Sequence, residues 1–305
     1  MGDNTSYRLT DSQVQFFKDN GYVGPFDLYD PDDAPLRWDR AKIEMVVSAN
    51  KPHDSTVINY DRHLDCNTLS EHIARPEIVG RLQSLMGEDI LCWKTNIFKK
   101  EPGEAGTGWH QVKEFVVGET TTSSTPSLKY TEEDTEAPAQ ELTVWTAFSP
   151  ASKVYGCLTF IPGSHKRWYY DETKPLTRNV ESKTHDFFGY DYSELQLDPD
   201  WDPNAEDYVT MEMKPGQFVI FTAMCVHGSL PNTTDKPRLG FASRYVAPSV
   251  KVYEGVDALS EFGDTISLDY HGCVLVAGED RYGYNRIYDK NLNGYEFGRI
   301  RADVS

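Results

Sequence analysis

Positive charge is scarce in this sequence: 30 Lys and Arg stand against 48 Asp and Glu, for a formal net charge of −18. Neutralising a phosphate backbone or an anionic bilayer needs a basic face, so nucleic acid and membrane surfaces are argued against as partners. Long hydrophobic runs are missing too. No segment approaches the roughly 20 apolar residues a spanning helix requires. The start, Met1 to Thr10, is polar and lacks the basic and apolar regions of a secretion signal, so a cytoplasmic location is expected. Cysteine is sparse, and Cys66, Cys92, Cys157, Cys225 and Cys273 form no C-x-x-C pair. Neither a disulfide framework nor a thiolate zinc site is suggested, and buried free thiols are expected.

What is present fits a globular chain: 305 residues, 39% hydrophobic and 12% aromatic. Thr10 and Gln13 have the spacing of a helix-capping box, Val14, Phe16 and Phe17 follow, and Gly21 is placed to end the helix. A second helix is predicted from Asp32 or Asp33, with Pro35 in its first turn and Leu36, Ile43 and Val47 toward a core. A third runs from Pro76 through Leu85. Residues 1–89 thus read as a mostly helical buttress. From Ile90 the period changes to two, in the runs Leu91–Phe98, Leu142–Phe148, Cys157–Ile161, Tyr208–Met213, Gln217–Val226 and Leu239–Val246. The polar stretches 118–140 and 171–203 read as lids or surface insertions. The pattern predicts one domain over 1–305, mainly β with flanking helices, closed as a barrel.

Donors that converge are the next question. His227 ends the run from Gly216, in alternation with Val219, Phe221, Ala223 and Cys225, and so is placed to enter a cavity. His110 follows Gly106 and Gly108, which allow unusual backbone angles or close approach of a ligand. Arg244 shares a strand face with Gly240 and Ala242, leaving room for a guanidinium to grip a carboxylate. Thr143 and Trp145 share a face of their own strand. Any one of these is more often structural, and only their combination points to a site. Among the remaining histidines, His53, His63, His72, His185 and His271 read as structural or exposed, and His165 as fixing its turn. Glu114, four residues after His110, would become a carboxylate ligand if that loop were helical.

These residues resemble the phytanoyl-CoA dioxygenase superfamily of iron(II)/2-oxoglutarate oxygenases. Gly156-Cys157-Leu158-Thr159-Phe160-Ile161-Pro162-Gly163-Ser164-His165 is similar to its Pro-Gly-Ser-His turn. Within it, the chain resembles the carrier-protein-dependent non-haem iron halogenases, typified by the threonine chlorinase of syringomycin biosynthesis. That likeness rests on Asn59-Tyr60-Asp61-Arg62-His63-Leu64-Asp65, Trp109-His110-Gln111, Thr143-Val144-Trp145-Thr146-Ala147-Phe148 and Gly240-Phe241-Ala242-Ser243-Arg244-Tyr245-Val246. The resemblance implies a double-stranded β-helix, or cupin-like jelly roll. His110 and His227 would be the iron ligands. Arg244, helped by Thr107 and Trp145, would hold the far carboxylate of 2-oxoglutarate.

The superfamily's oxygenases complete their iron site with His-x-Asp or His-x-Glu, whereas this chain has His110-Gln111-Val112. Valine has no donor atom. In the resembling halogenases the equivalent residue is alanine or glycine, and a halide binds there. The resemblance therefore implies Fe(II), 2-oxoglutarate, chloride and O2 as cofactors, with Val112 lining the halide position. It also implies chlorination of an unactivated carbon of an amino acid held as a thioester on a phosphopantetheinylated carrier protein. Lys99, Lys100, Lys166 and Arg167 are candidate docking cations for an acidic carrier. A hydroxylase or desaturase with water in the halide position is the alternative, and a non-catalytic binding protein the third reading.

Overall fold

Helix α1 (Asp11–Asn20) starts and stops where its sequence says it should. The Thr10 hydroxyl accepts from the Gln13 amide, the Gln13 side chain accepts from the Thr10 amide, and Gly21 closes the last turn at φ 84°. Helix α2 (Asp33–Val47) is rotated from expectation. It buries Ala34, Trp38 and Ala41, while Leu36, Ile43 and Val47 face outward, 65%, 65% and 73% exposed. The indole decides the face: Trp38 packs against Phe148, ring centroids 5.4 Å apart, and the two alanines let the helix come close. Helices α3 (Asn67–Ile73) and α4 (Pro76–Met86) complete the buttress. The structure described here is a computed structural model, covering residues 7–54, 58–117, 125–131, 139–174, 191–261 and 264–300.

The predicted helical region also contributes a strand, β1 (Tyr22–Asp27). The others that build the two main sheets are β2 (Ile90–Lys100), β3 (Thr107–His110), β4 (Glu141–Ala147), β5 (Leu158–Phe160), β6 (Val209–Met211), β7 (Gln217–Phe221), β8 (His227–Ser229), β9 (Arg238–Val246) and β10 (Val274–Ala277). The larger sheet has the order β1-β7-β4-β9-β2-β10 and the smaller β3-β8-β5-β6, with every pairing antiparallel. Trp145, Val219, Phe221 and Ala242 from the larger sheet pack with Leu158, Phe160 and Met211 from the smaller. The helices cover the other face of the larger sheet, over Val144, Ile220, Phe241 and Tyr245. This is the expected jelly roll.

One predicted strand is two. The run from Gln217 stops at Phe221, and residues 222–226 turn and cross, with the Cys225 amide donating to the Thr222 carbonyl. His227 then opens β8 in the other sheet, so simple alternation with Val219 and Phe221 does not place it. The parts 118–124, 132–138 and 175–190 of the expected insertions, and His185, lie outside the described residues.

Register sets which side chains look inward. Across β9 and β2, Arg238 faces Lys100, Gly240 faces Phe98, Ala242 faces Asn96 and Arg244 faces Lys94. On the other side of β9, Ala242 faces Trp145 and Arg244 faces Thr143. Opposed residues and alternate residues share a face. The interior face therefore carries four cations in a chain of strongly negative charge.

Candidate active site

His110 and His227 stand directly opposite each other across β3 and β8, their ring centroids 4.1 Å apart. Both are buried. The His110 Nδ1 donates to the Gly108 carbonyl at 2.9 Å and the His227 Nδ1 to the Cys225 carbonyl at 2.7 Å. Carbonyls only accept, so the ring proton sits on Nδ1 and the lone pair on Nε2. Burial pushes the His110 imidazole down to about 4; the Gly108 carbonyl opposes this and Arg244 reinforces it. His227 is held well below its ordinary value by burial, then by His110, with Arg244 adding to it and the Cys225 carbonyl opposing. Both imidazoles are thus neutral with an oriented Nε2 lone pair, the protonation state that binding a metal would require.

The residues after His110 are tied down one by one. The Gln111 side chain donates to the Met224 and Arg167 carbonyls at 2.7 and 2.8 Å and accepts the Tyr169 amide at 2.9 Å. The Val112 amide donates to the Ala223 carbonyl at 2.9 Å. The Glu172 carboxylate accepts from the amides of both Lys113 and Glu114. Phe115 follows at φ 50°. Among the described residues, no three or more of His, Cys, Asp and Glu are grouped to hold a metal. Glu114 therefore does not complete a triad with the two histidines.

A second buried carboxyl, Glu141, accepts the Ala223 amide and the Thr143 hydroxyl, each at 3.1 Å. Burial raises its pKa to about 7, against the lowering effects of the Ala223 amide, Arg244 and the Thr143 hydroxyl.

The structure does not bring Arg244 together with Thr107 and Trp145. Trp145 lies over Gly240, where an added Cβ would meet its ring at 1.9 Å, and reaches Arg238, whose guanidinium carbon is 5.1 Å from the ring centre. Arg238 is 4% exposed; one nitrogen donates to the Gly156 carbonyl at 2.6 Å, and its Nε is buried with no partner among the described residues. Opposite it, the Lys100 ammonium donates to Ser229 Oγ, which donates to Thr107 Oγ1. Arg244 is six residues further along β9, about 20 Å at strand rise. Its guanidinium donates to Asn96 and lies 5.4 Å from the Phe115 ring centre. The arginine beside Thr107 and Trp145 is thus Arg238. Both arginines lie on the inward face, and the period of two does not tell them apart.

Lys100, expected on a docking surface, is 3% exposed and belongs to this interior cluster. The Tyr192 ring sits 5.2 Å from that of His110, so the described end of the 171–203 insertion forms a wall of the site. His165 donates from Nε2 to the Lys18 carbonyl, as a turn-fixing residue would. His53, His63, His72 and His271 are buried and hydrogen-bonded rather than exposed. The roles of Glu141, Glu172 and Gln111 carried no local sequence signal, since the amides and carbonyls they bind (Ala223, Lys113, Glu114, Arg167, Tyr169, Met224) lie far from them along the chain.

A family model described as Phytanoyl-CoA dioxygenase (PhyH) matches residues 17–240. The 2-aminoethylphosphonate dioxygenase of Uncultured bacterium HF130_AEPn_1 is 22% identical over 298 residues, 92% of this chain and 97% of that one. The Phytanoyl-CoA dioxygenase domain-containing protein 1 homolog of Dictyostelium discoideum is 28% identical over 103 residues; that match spans only 34% of each protein's length. The solved structure of CytC3 with Fe(II) and alpha-ketoglutarate is similar at 32% identity and a TM-score of 0.72, covering 97% of this chain and 99% of that one. No helix among the described residues is long and apolar enough to cross a membrane.

Proposed function

The chain belongs to the phytanoyl-CoA dioxygenase family, with the chemistry of an iron(II)/2-oxoglutarate-dependent oxygenase, and on that premise we propose that it is a halogenase. It chlorinates an unactivated aliphatic carbon of an amino acid tethered as a thioester to a carrier protein. The observation that carries the reading is Val112: two residues after His110, where an oxygenase of this type has its carboxylate, the side chain has no donor atom. No other carboxylate among the described residues joins the histidine pair.

The residues present fit the cofactors. Nε2 of His110 and of His227 would hold iron, each oriented by a carbonyl behind the ring. Arg238, whose guanidinium lies beside Trp145 and whose Nε, like that of Arg244, has no partner among the described residues, would pair with the far carboxylate of 2-oxoglutarate near Thr107. Bound iron, 2-oxoglutarate and dioxygen supply the oxidising power to remove a hydrogen atom from an aliphatic carbon. The chain's own contribution is placement. Gln111, Ala223 and Glu172 hold the backbone at Val112 so that its side chain bounds the place left for chloride. Arg244 adds positive potential near both histidines, which favours a nearby anion. Tyr192 limits how a substrate approaches His110.

The bulk of valine favours a second reading. Its two methyl groups take space an anion needs, and the Ala223 bond keeps the backbone from retreating. Water in that place would give a hydroxylase or desaturase. The test is to add chloride anaerobically to the iron and 2-oxoglutarate complex, admit oxygen, and weigh carriers loaded with threonine, valine, 2-aminobutyrate or leucine. Replacement of hydrogen by chlorine supports the proposal; gain of oxygen alone rejects it. For docking of the carrier, the exposed candidates are now Lys99, Lys166 and Arg167.

A further inference from the structure

We propose that Lys100 is a positioning residue: through Ser229 it sets the direction of the Thr107 hydroxyl, so that this hydroxyl donates to the far carboxylate of 2-oxoglutarate. An ammonium has three protons and no lone pair, so it can only donate. Lys100 Nζ has three acceptors in reach, the Ala105 carbonyl at 2.7 Å, the Leu230 carbonyl at 3.0 Å and Ser229 Oγ at 3.0 Å. Ser229 Oγ also accepts the Thr107 amide at 3.3 Å. Both its lone pairs are then engaged, and its single proton goes to Thr107 Oγ1 at 2.9 Å. With Thr107 Oγ1 accepting from Ser229, the Thr107 proton turns to a ligand. A neutral group at 100 would let the chain run in the opposite sense, with Thr107 presenting a lone pair to an anion and repelling it; a carboxylate bound beside Lys100 favours its charged, donor-only form.

The surroundings call for an anion. Lys100 and Arg238 are register partners, both buried, and burial first and Arg238 second push the Lys100 ammonium down to about 7. Two desolvated cations side by side are costly without a counter-charge. Among the described residues, Glu104 is the acid that acts on both, and Arg238 Nε has no partner. A carboxylate taken up here would satisfy that nitrogen and accept from Thr107 together.

This rests on the iron/2-oxoglutarate reading, and its test is a double-mutant cycle read by calorimetric binding to the anaerobic iron protein. Lys100→Met and Thr107→Val are each expected to weaken 2-oxoglutarate binding by roughly ten- to a hundredfold, the span for hydrogen bonds to charged groups. The double variant should be weaker than either single by less than about threefold, because both break the same relay. Ser229→Ala, which removes only the linking hydroxyl and leaves the Thr107 donor in place, should weaken binding by less than Thr107→Val and serves if Lys100→Met does not fold. Pyruvate, which has no far carboxylate, should bind all of these as it binds the unaltered protein. Additive losses, or an equal loss for pyruvate, overturn the relay alone. If the unaltered protein fails to bind 2-oxoglutarate, the family reading falls and the relay with it.

Discussion

The Arg238 guanidinium lies 5.1 Å from the centre of the Trp145 ring, and that contact exists because residue 240, under the ring, has no side chain. A methyl group there would displace the indole. Arg238→Met is expected to weaken 2-oxoglutarate binding by about 2 kcal/mol or more, roughly thirtyfold, and Gly240→Ala to weaken it in the same direction. Arg244→Met should leave that affinity within about threefold, the noise of remote substitutions. Titration of the anaerobic iron protein measures all three, and a larger loss at Arg244 than at Arg238 would restore the assignment made from sequence.

Val112→Asp should give iron a third protein ligand. Iron is then expected to bind tighter and chlorination to fall, without an efficient hydroxylase necessarily emerging. Iron titration and product mass check this. Persistence of chlorinated product would remove Val112 from the halide position.

Glu172→Ala leaves the Lys113 and Glu114 amides without their acceptor, at a cost of about 1–3 kcal/mol. Faster hydrogen exchange at those two amides is expected, together with a shift of product from chlorinated toward hydroxylated. Unchanged exchange would show that the carboxylate does not hold this loop.

Glu141 gives a pH dependence with a definite sign. Burial raises its folded pKa to about 7 from 4.5, so the folded state keeps a proton the unfolded chain releases. Its contribution is complete below about 4.5 and is lost as pH rises through about 7. Glu141→Gln should remove that part of the decline between those limits in thermal melts of the metal-free protein. A variant whose stability falls as steeply as the parent's over this window would contradict the assignment.

His53 and Asp61 form a buried pair at 2.9 Å, and Asp61 also accepts the Thr95 amide. Asp61 is held well below the usual carboxylate range: the bond to His53 and the positive potential of His53, His271 and His63 outweigh burial. Asp61→Asn is expected to cost about 3–5 kcal/mol in denaturant unfolding, as for a broken buried pair. A loss under about 1 kcal/mol would mean the pair is dispensable.

Local chemistry was legible in the sequence. The Thr10–Gln13 cap depends on neighbours three apart, the inward faces of β4 and β9 on alternation, and the missing carboxylate at Val112 on the likeness of the His110 triplet to a family motif. The first two need no distant contacts, and the third is what the resemblance to the His-x-Asp/Glu oxygenases implies for residue 112. Tertiary structure decided the rest. Alternation names a face but not a position along it, so only the pairing of β9 with β2 and β4 shows that Arg238 rather than Arg244 meets Trp145. A lysine reads as surface until the strand opposite is known, and Lys100 is interior because Arg238, Ser229 and Leu230 close over it. Helix α2 turned on the size of one indole and its fit against Phe148. Glu141 and Glu172 acquire their roles from amides 82 and 58–59 residues away, brought near only by sheet closure.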